Sequence, residues 1–566
     1  MDAPRAVRVV TEVGAVDRPF DYLVPSRWAN TGVGDRVRVD FNGRSVRGWV
    51  VGDATVGDDL KPLSKWLGYG PPPSMMALLT WSSERWFAPL ARFLVAASPR
   101  HLVTSLPSAP RAGPLEDETS RRVSDHAPGV IQHAPTTDPL DLVLAAYRST
   151  RADGASLLVV TPTEARSRRL RGRLEQRGCA VAGADEWERC RAGWPIVVGA
   201  RGAAFAPVPR LAGAVVLDAD DEALRSPAQP TWHAIDVLEE RCRRAEVPWW
   251  ATTMLPSPRL MAKGWRVEGD IRGGWPRVTV IDRRVGDPHD GLLARESLSA
   301  VHRALTGDEA VAVVVLHQRL GRGRLLACAQ CHELYRCAVC GQGEEEVDDG
   351  VCCQDAHERR LRFCRACGST RVTRLRQGVS AVRRDLEAQI GQPVGEVTAA
   401  STELPSTRVV VGTEAVLQRV RRSSLVIIDD FDQYLLAPRE TARRQAVDVV
   451  GRAGRLVGAR RAGRGDVIVQ TRRGDDLVVR SLVDASFDQL LVDEYETARA
   501  LGLAPFGARA TIRGVGAAHF VASLGDAVTV AGDGESGFVV RASDVAHLVA
   551  VLRGVPRPPA VRVAVD

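Results

Sequence analysis

No uncharged apolar run of roughly 18 residues occurs in this 566-residue chain, which excludes the ordinary signature of a membrane-spanning helix. The segment from Met1 to Pro19 carries Arg5, Arg8, Glu12, Asp17 and Arg18 and no apolar core of secretory length, so a cytoplasmic location is expected. Outside one cluster the only cysteines are Cys179, Cys190 and Cys242, too scattered for the disulfide framework of a secreted domain. Internal repeats and low-complexity tracts are lacking, which excludes solenoids and long tails. Neither Gly-Lys-Thr nor Gly-Lys-Ser occurs anywhere. The chain therefore lacks the element that cradles nucleotide phosphates with backbone amides, a lysine and a metal-binding hydroxyl.

What is present is ordinary globular material in more than one piece. At about 100 to 200 residues per domain, the length predicts three to five domains. Hydrophobic residues at 45% and charged residues at 26% leave most of the chain able to fold. Lys and Arg outnumber Asp and Glu by 76 to 69, a formal +7 that suits a polyanionic partner without demanding one.

Hydrophobic patterning divides the chain. AVRVVTEVGAV, RPFDYLVP and GDRVRVDFNGRSVRGWVVG are short β-rich stretches between Gly, Asp and Pro turns, which predict a small β-domain, and residues 75–97 carry apolar residues at helical spacing. Prolines and the polar stretch EDETSRRVSDHAPG mark a linker. SLLVVTP, WPIVVGA, AGAVVLDADD and VPWWATT then alternate with helical segments, and VTVIDRR, AVAVVVLH, RVVVGTEAVLQ, SLVIIDDFD and DVIVQTRR repeat the grammar. That alternation predicts two parallel-sheet α/β lobes. The expected divisions are 1–100, a linker 101–135, a first lobe 136–275, a second lobe 276–327 plus 371–500, an insert 328–370, and a small α+β domain 501–566.

Eight of the eleven cysteines fall between Cys328 and Cys367. Pairs two residues apart fit two corners of a tetrahedron around Zn²⁺, and three such pairs occur: Cys328 with Cys331, Cys337 with Cys340, and Cys364 with Cys367. With Cys352 these supply seven ligands, one short of two zinc ions. Asp355, at the same two-residue gap from Cys352 where a thiolate would be expected, is the expected eighth, with His357 and Cys353 as open alternatives. No open coordination position or nucleophile is evident, so both ions are read as structural.

Several segments now resemble one family in order along nearly the whole chain. RPFDYLVP with VGDRVRVDFNGRSVRGWVVG is similar to the DNA 3′-end-binding domain of the PriA-type primosomal replication-restart proteins. WSSERWFAPLARFL resembles the helix after it, IVVGARGAAFAPVPRLAGAVVLDADD the first-lobe strands, the CxxC insert the zinc module, and VVVGTEAVLQ with DVVGRAGR the second-lobe motifs. The resemblance is to a degenerate, actinobacterial-like form without the phosphate loop, with two RecA-like lobes. It implies a DNA-end pocket of Phe20, Asp21, Tyr22, Gly34 and Lys61, where a ring stacks on a terminal base, a carboxylate meets the 3′-hydroxyl and a lysine meets phosphate. Phe20 and Tyr22 are equally readable as strand residues packed in a core.

Where the resemblance places the phosphate loop, the chain reads IQHAPTTDPLDLVLAAYRSTRADGA, and the acidic box reads Leu217-Asp218-Ala219-Asp220-Asp221, with Ala219 in place of the catalytic Glu. Asp218, Arg452 and Arg455 are thus remnants, and no measurable ATPase is expected. His233 resembles a position near the nucleotide site, but a lone His is as readily a packed residue. The basic stretch 164–177 and RRAGRG at 460–465 could line a DNA path or form solvated faces. The function implied is recognition of branched DNA at stalled or collapsed forks and reloading of the replicative helicase, without helicase activity. Forked and single-stranded DNA, other primosome proteins and single-stranded-DNA-binding protein are the implied partners of a monomer that meets no membrane. Two other readings stay open here: a DNA-dependent ATPase or 3′-5′ helicase with unorthodox nucleotide contacts, and a zinc-ribbon adaptor with no DNA role.

Overall fold

The computed structural model describes residues 5–13, 18–57, 59–113, 127–285, 291–317, 326–341, 343–347, 350–353, 357–374, 379–398, 401, 403–463, 465–532, 537–558 and 560–565. They form two compact units. One comprises residues up to Ile131 with Asp138–Arg266 and Glu494–Asp566; the other comprises Gln132–Thr137 and Val267–Asp493.

The first unit opens with β1 (Arg5–Thr11), β2 (Phe20–Val24), β3 (Arg36–Phe41), β4 (Arg44–Ala54) and β5 (Lys65–Gly68). They make one antiparallel sheet in the order β2-β1-β4-β3-β5. A bridge between Leu23 and Pro62 brings β2 against the approach to β5, curling the sheet toward a barrel. Strand alternation sends Val7, Val9, Tyr22, Val37, Val39, Val50 and Leu63 into one core. The single helical stretch expected over 75–97 is two helices, Met76–Arg85 and Leu90–Ala96. Phe87 adopts φ +48° between them, and Pro89 has no amide with which to continue a helix.

Trp49 Nε1 donates to Ser98 Oγ at 2.8 Å, Arg36 to the Pro99 carbonyl at 3.2 Å, Trp187 Nε1 to the Ala97 carbonyl at 2.9 Å and Arg191 to the Gly70 carbonyl at 3.2 Å. These bonds fasten the barrel and its helical hairpin to lobe 1. That lobe holds β6 (Gly129–Gln132), β7 (Ser156–Val160), β8 (Val181–Gly183), β9 (Ile196–Gly199), β10 (Leu211–Val216), β11 (Trp249–Thr253) and β12 (Trp265–Val267), ordered β12-β6-β11-β10-β7-β9-β8. Strands β7 to β11 pair in parallel. Leu158, Val160, Ala214 and Val216 lie in one buried cluster, and Leu157, Val159 and Val215 in another. Both faces of the sheet are therefore covered, as a doubly wound sheet requires.

Lobe 2 belongs to the other unit. Its β13 (Arg277–Asp282) and β14 (Val313–Leu316) precede the insert strands β15 (Leu326–Cys328), β16 (Glu344–Val347), β17 (Gly350–Cys353) and β18 (Val372–Arg374). After them come β19 (Val394–Val397), β20 (Val409–Gly412), β21 (Leu425–Ile428) and β22 (Asp466–Thr471). The main sheet is wholly parallel, in the order β13-β22-β21-β14-β20-β19. Its central strands are continuous Val, Leu and Ile runs because both faces are buried. The insert forms separate antiparallel pairs, β15 with β18 and β16 with β17. The chain returns to the first unit in a sheet ordered β24-β25-β23-β26, made of β23 (Ala508–Arg513), β24 (Thr529–Ala531), β25 (Phe538–Ala542) and β26 (Arg562–Val565). Helix Val545–Arg553 contributes Leu548 and Leu552 to its core. The α/β class expected from the alternation, with two parallel lobes between β-containing ends, is the one observed. Among the described residues no helix is long and apolar enough to cross a membrane.

Candidate metal centres, DNA-end surface and remnant nucleotide site

The insert gathers its cysteines into two tetrads. Cys328, Cys331, Cys364 and Cys367 form one, Cys337, Cys340, Cys353 and His357 the other, with ligand atoms in each within 4.8 Å of one another. Cys328 and Cys367 sulfurs are 3.5 Å apart, as are those of Cys331 and Cys364. Bonds of about 2.3 Å to a tetrahedral Zn²⁺ would set each sulfur–sulfur edge near ~3.8 Å, so the donors fit that ion with little movement. Amides of Cys340 and Val339 help pull the Cys337 thiol down to about 7.

The second tetrad differs from the expected one. β17 alternates, so Cys353 is buried and lies 3.5 Å from His357 Nδ1, while Cys352 points the other way and donates to the Cys353 carbonyl. Cys353 and His357 thus stand where Cys352 and Asp355 were expected, and Asp355 lies outside the described residues. A feature with no sequence signal holds the module together. Glu344, fully buried, takes Arg360 through two bonds of 2.9 and 2.5 Å, and the same guanidinium donates to the Phe363 carbonyl and lies 5.2 Å from the Tyr335 ring centre.

On the barrel, the expected pocket residues do not all converge. The Phe20 ring packs edge-on to Phe41 at 5.0 Å, with the Arg18 guanidinium 5.0 Å from its centre. Lys61 Nζ sits 3.2 Å from Asp40 Oδ2, both groups about half exposed. Tyr22 is 5% exposed and donates its hydroxyl to the Asp40 carbonyl, so its ring belongs to the core. Asp21 points from the opposite face of β2 to its cross-strand neighbour Arg8, at 3.2 Å. Gly34 precedes β3, roughly 20 Å of extended chain from Asp40. Its φ of +94° and the Pro71 carbonyl 1.8 Å from where a Cβ would stand give it a packing role. The glycine beside Phe41 and Asp40 is Gly43, in the β3–β4 turn, with φ +75°, open space around it and its amide on Asp40 Oδ1 at 2.8 Å.

Around the acidic box the charges are paired internally. Asp218, with φ +49°, is 6% exposed and pairs with Arg166, and its amide donates to Thr252 Oγ1 at 3.1 Å. Asp220 accepts Thr253 Oγ1 and the Ser257 amide, both at 2.9 Å. Helix Pro139–Thr150 is capped by Asp138, which accepts the Leu140 amide at 3.0 Å and takes Arg173 in two bonds. Burial would raise the Asp138 carboxyl, but Arg173 and that amide outweigh it and hold it below its ordinary range. Three arginines of the basic stretch, Arg166, Arg171 and Arg173, are thus engaged with Asp218, Glu186 and Asp138.

His233 caps helix Ala234–Ala245 through Ile235, and burial lowers its pKa. Beside it Arg259 holds Asp236 at 2.7 Å; burial opposes ionisation there, but Arg259, His233 and Arg85 bring the carboxyl to about 2. Arg452 lies 3.0 Å from Glu414, and Arg455 donates to the Pro135 carbonyl at 3.1 Å. In RRAGRG, Arg460 caps the Val483 carbonyl at 2.7 Å and Arg461 faces Asp270 at 3.9 Å, while Arg464 lies outside the described residues.

Residues 8–99, the barrel and its hairpin, match the family model for the PriA 3'DNA-binding domain (3'BD). The replication restart protein PriA of Thermotoga maritima is 25% identical over 349 residues, 57% of this chain and 46% of that protein. The probable replication restart protein PriA of Mycobacterium leprae is 27% identical over 443 residues, 67% of each. The chain thus spans about half the length of the Thermotoga relative. Among solved structures, S. cerevisiae Dbp5 bound to RNA and ADP BeF3 aligns at 10% identity and TM-score 0.36 over 67% of this chain and 87% of that one. RecG bound to a three-way DNA junction aligns at 12% identity and TM-score 0.35 over 69% and 47%. What this chain shares with the replication restart proteins PriA is thus a barrel matching their 3'DNA-binding domain over residues 8–99 and 25–27% identity over 349 and 443 residues.

Proposed function

We propose that this chain recognises branched DNA at stalled or collapsed replication forks and promotes reloading of the replicative helicase, with no helicase activity of its own. The observation that supports it most is the 3'DNA-binding domain match over residues 8–99 on a chain whose lobes lack a phosphate loop. In this reading the half-buried Phe20 and Phe41 rings receive a terminal base, Lys61 exchanges Asp40 for a DNA phosphate, and the Asn42–Gly43 turn allows the strand end to come close.

Two zinc ions, held by the tetrads, would act structurally, since four protein donors per ion leave no open position. Their role is to supply the folding free energy that so small an insert cannot obtain from its own core. Other primosome proteins, single-stranded-DNA-binding protein, a cytoplasmic location and a monomeric state belong to the same reading.

Fluorescence anisotropy with purified protein and equal-length fork, recessed 3′-end and blunt duplex DNAs tests it. Tighter binding of the free 3′-end and fork at moderate salt is expected. Equal, weak binding to all of them would refute a fork-reading role, and turnover of ATP at ordinary helicase rates would favour the motor reading instead.

A further inference from the structure

The sequence shows that the usual phosphate loop is missing; the structure shows what stands in its place. Strands β6, β11 and β10 are neighbours in lobe 1, and one helix, Glu164–Glu175, reaches both the start of the helix after β6, through Arg173 and Asp138, and the acid that ends β10, through Arg166 and Asp218. In nucleotide-binding lobes of this order the helix N-terminus offers free amides to a phosphate, and the strand-end acid holds Mg²⁺. Here the helix N-terminus carries its own anion. Asp138 accepts the Leu140 amide at 3.0 Å, Pro139 has no amide to give, and Asp141 adds a second carboxylate in the first turn.

The acid, in turn, carries its own cation. Arg166 closes on Asp218, the side chains being 27% and 7% exposed. Arg166 and Arg173 both belong to helix Glu164–Glu175. Separated by about two turns, they share a face, so one helix delivers a guanidinium to each carboxylate. The Arg173–Asp138 pair, 45% exposed on both sides, is weak in itself. Its effect is to keep negative charge standing on the helix N-terminus.

We propose that lobe 1 is self-ligated, with Asp138 in the phosphate seat and Arg166 in the metal seat, so that it binds neither nucleotide nor Mg²⁺ and keeps one arrangement regardless of nucleotide supply. This rests on the reading above that the lobe hydrolyses nothing, and goes further in denying it a bound nucleotide. Any triphosphate approaching the helix meets two carboxylates where a phosphate loop presents amides and a lysine. A metal approaching Asp218 must displace the partly buried Arg166 guanidinium.

Calorimetric titration of the full zinc-replete chain with MgATP and with magnesium pyrophosphate, with melting temperature as a second readout, tests the proposal. The unaltered chain is expected to give no heat and no shift up to millimolar ligand. Asp138→Asn combined with Asp141→Asn keeps a competent cap and removes both charges, and is expected to gain saturable pyrophosphate binding. Arg166→Ala is expected to melt at a temperature that rises with Mg²⁺, as the unaltered chain does not. If Arg166→Ala does not fold, the double Asn variant decides. Saturable MgATP binding by the unaltered chain overturns the proposal, and so does a double variant that still ignores pyrophosphate. ATP bound but not cleaved would sink self-ligation while leaving fork recognition intact, whereas loss of fork selectivity without nucleotide binding would do the reverse.

Discussion

Lys61, paired with Asp40, and Phe20, packed edge-on to Phe41, the residue after Asp40, each have a distinct physical signature. Replacing Lys61 by Ala removes one phosphate contact, so affinity for 3′-ended DNA should fall and the slope of log affinity against log salt should flatten by about 0.7 to 0.9. Phe20→Ala should cost about 1–3 kcal/mol of binding through lost stacking while leaving that slope unchanged. Anisotropy titrations across a salt series separate the two. Tyr22→Phe belongs to another category, because its hydroxyl serves the Asp40 carbonyl inside the barrel; it should lower stability with little effect on affinity. Asp236 shows what burial does to a charge. Held at about 2 by Arg259 despite desolvation, it contributes stability that is complete above pH ~4 and lost as pH falls toward ~2. The stake is about 2 kcal/mol, and Asp236→Asn should flatten the acid limb of a stability–pH profile measured by denaturant unfolding.

Among elements, the cysteine-rich insert depends most on details invisible at the level of composition. Cysteine pairs are legible in the sequence because a two-residue gap has only one plausible geometry around a metal. The remaining ligands are not, because whether Cys352 or Cys353 faces the tetrad is set by the register of β16 against β17, and a slip of one residue would exchange them. Cys353→Ser should therefore lower the zinc content from two ions per chain toward one, and Cys352→Ser should retain both, as read by metal analysis of purified protein. Glu344→Gln strands the buried Arg360 guanidinium, and a cost of about 3–5 kcal/mol is expected. Limited proteolysis of the insert should report it as earlier cleavage, with zinc lost at lower chelator concentration. The helical hairpin was also only half legible: periodicity announced the helices, but the break at Phe87 depends on a backbone conformation that no apolar pattern encodes.

For the molecule as a whole, both parallel-sheet lobes are threaded by internal ion pairs. With no lysine cradle and no catalytic Glu beside Asp218, ATP turnover should stay at the blank rate with or without single-stranded or forked DNA, by a coupled phosphate-release assay. The +7 charge predicts only that DNA binding weakens with salt. Where the arginines go decides more than how many there are: Arg166, Arg171, Arg173, Arg452 and Arg460 all have partners within their own unit, leaving fewer cations for DNA than the composition suggests.

The order of strands and helices, the parallel character of both lobes, the cysteine-pair insert and the missing phosphate loop were all determined by the sequence, because each is written in short-range spacing: period two, period 3.6, CxxC, or an absent Gly-Lys-Thr. Only the tertiary structure could decide that Tyr22 is buried in the core while Phe20 packs half-buried against it, that Gly43 rather than Gly34 borders the lysine, that Cys353 and His357 complete a tetrad, and that Arg166 covers Asp218. Those outcomes depend on which side chains meet after strands pair and helices pack across dozens of residues. Such meetings are fixed by register and burial, and local composition leaves no trace of them.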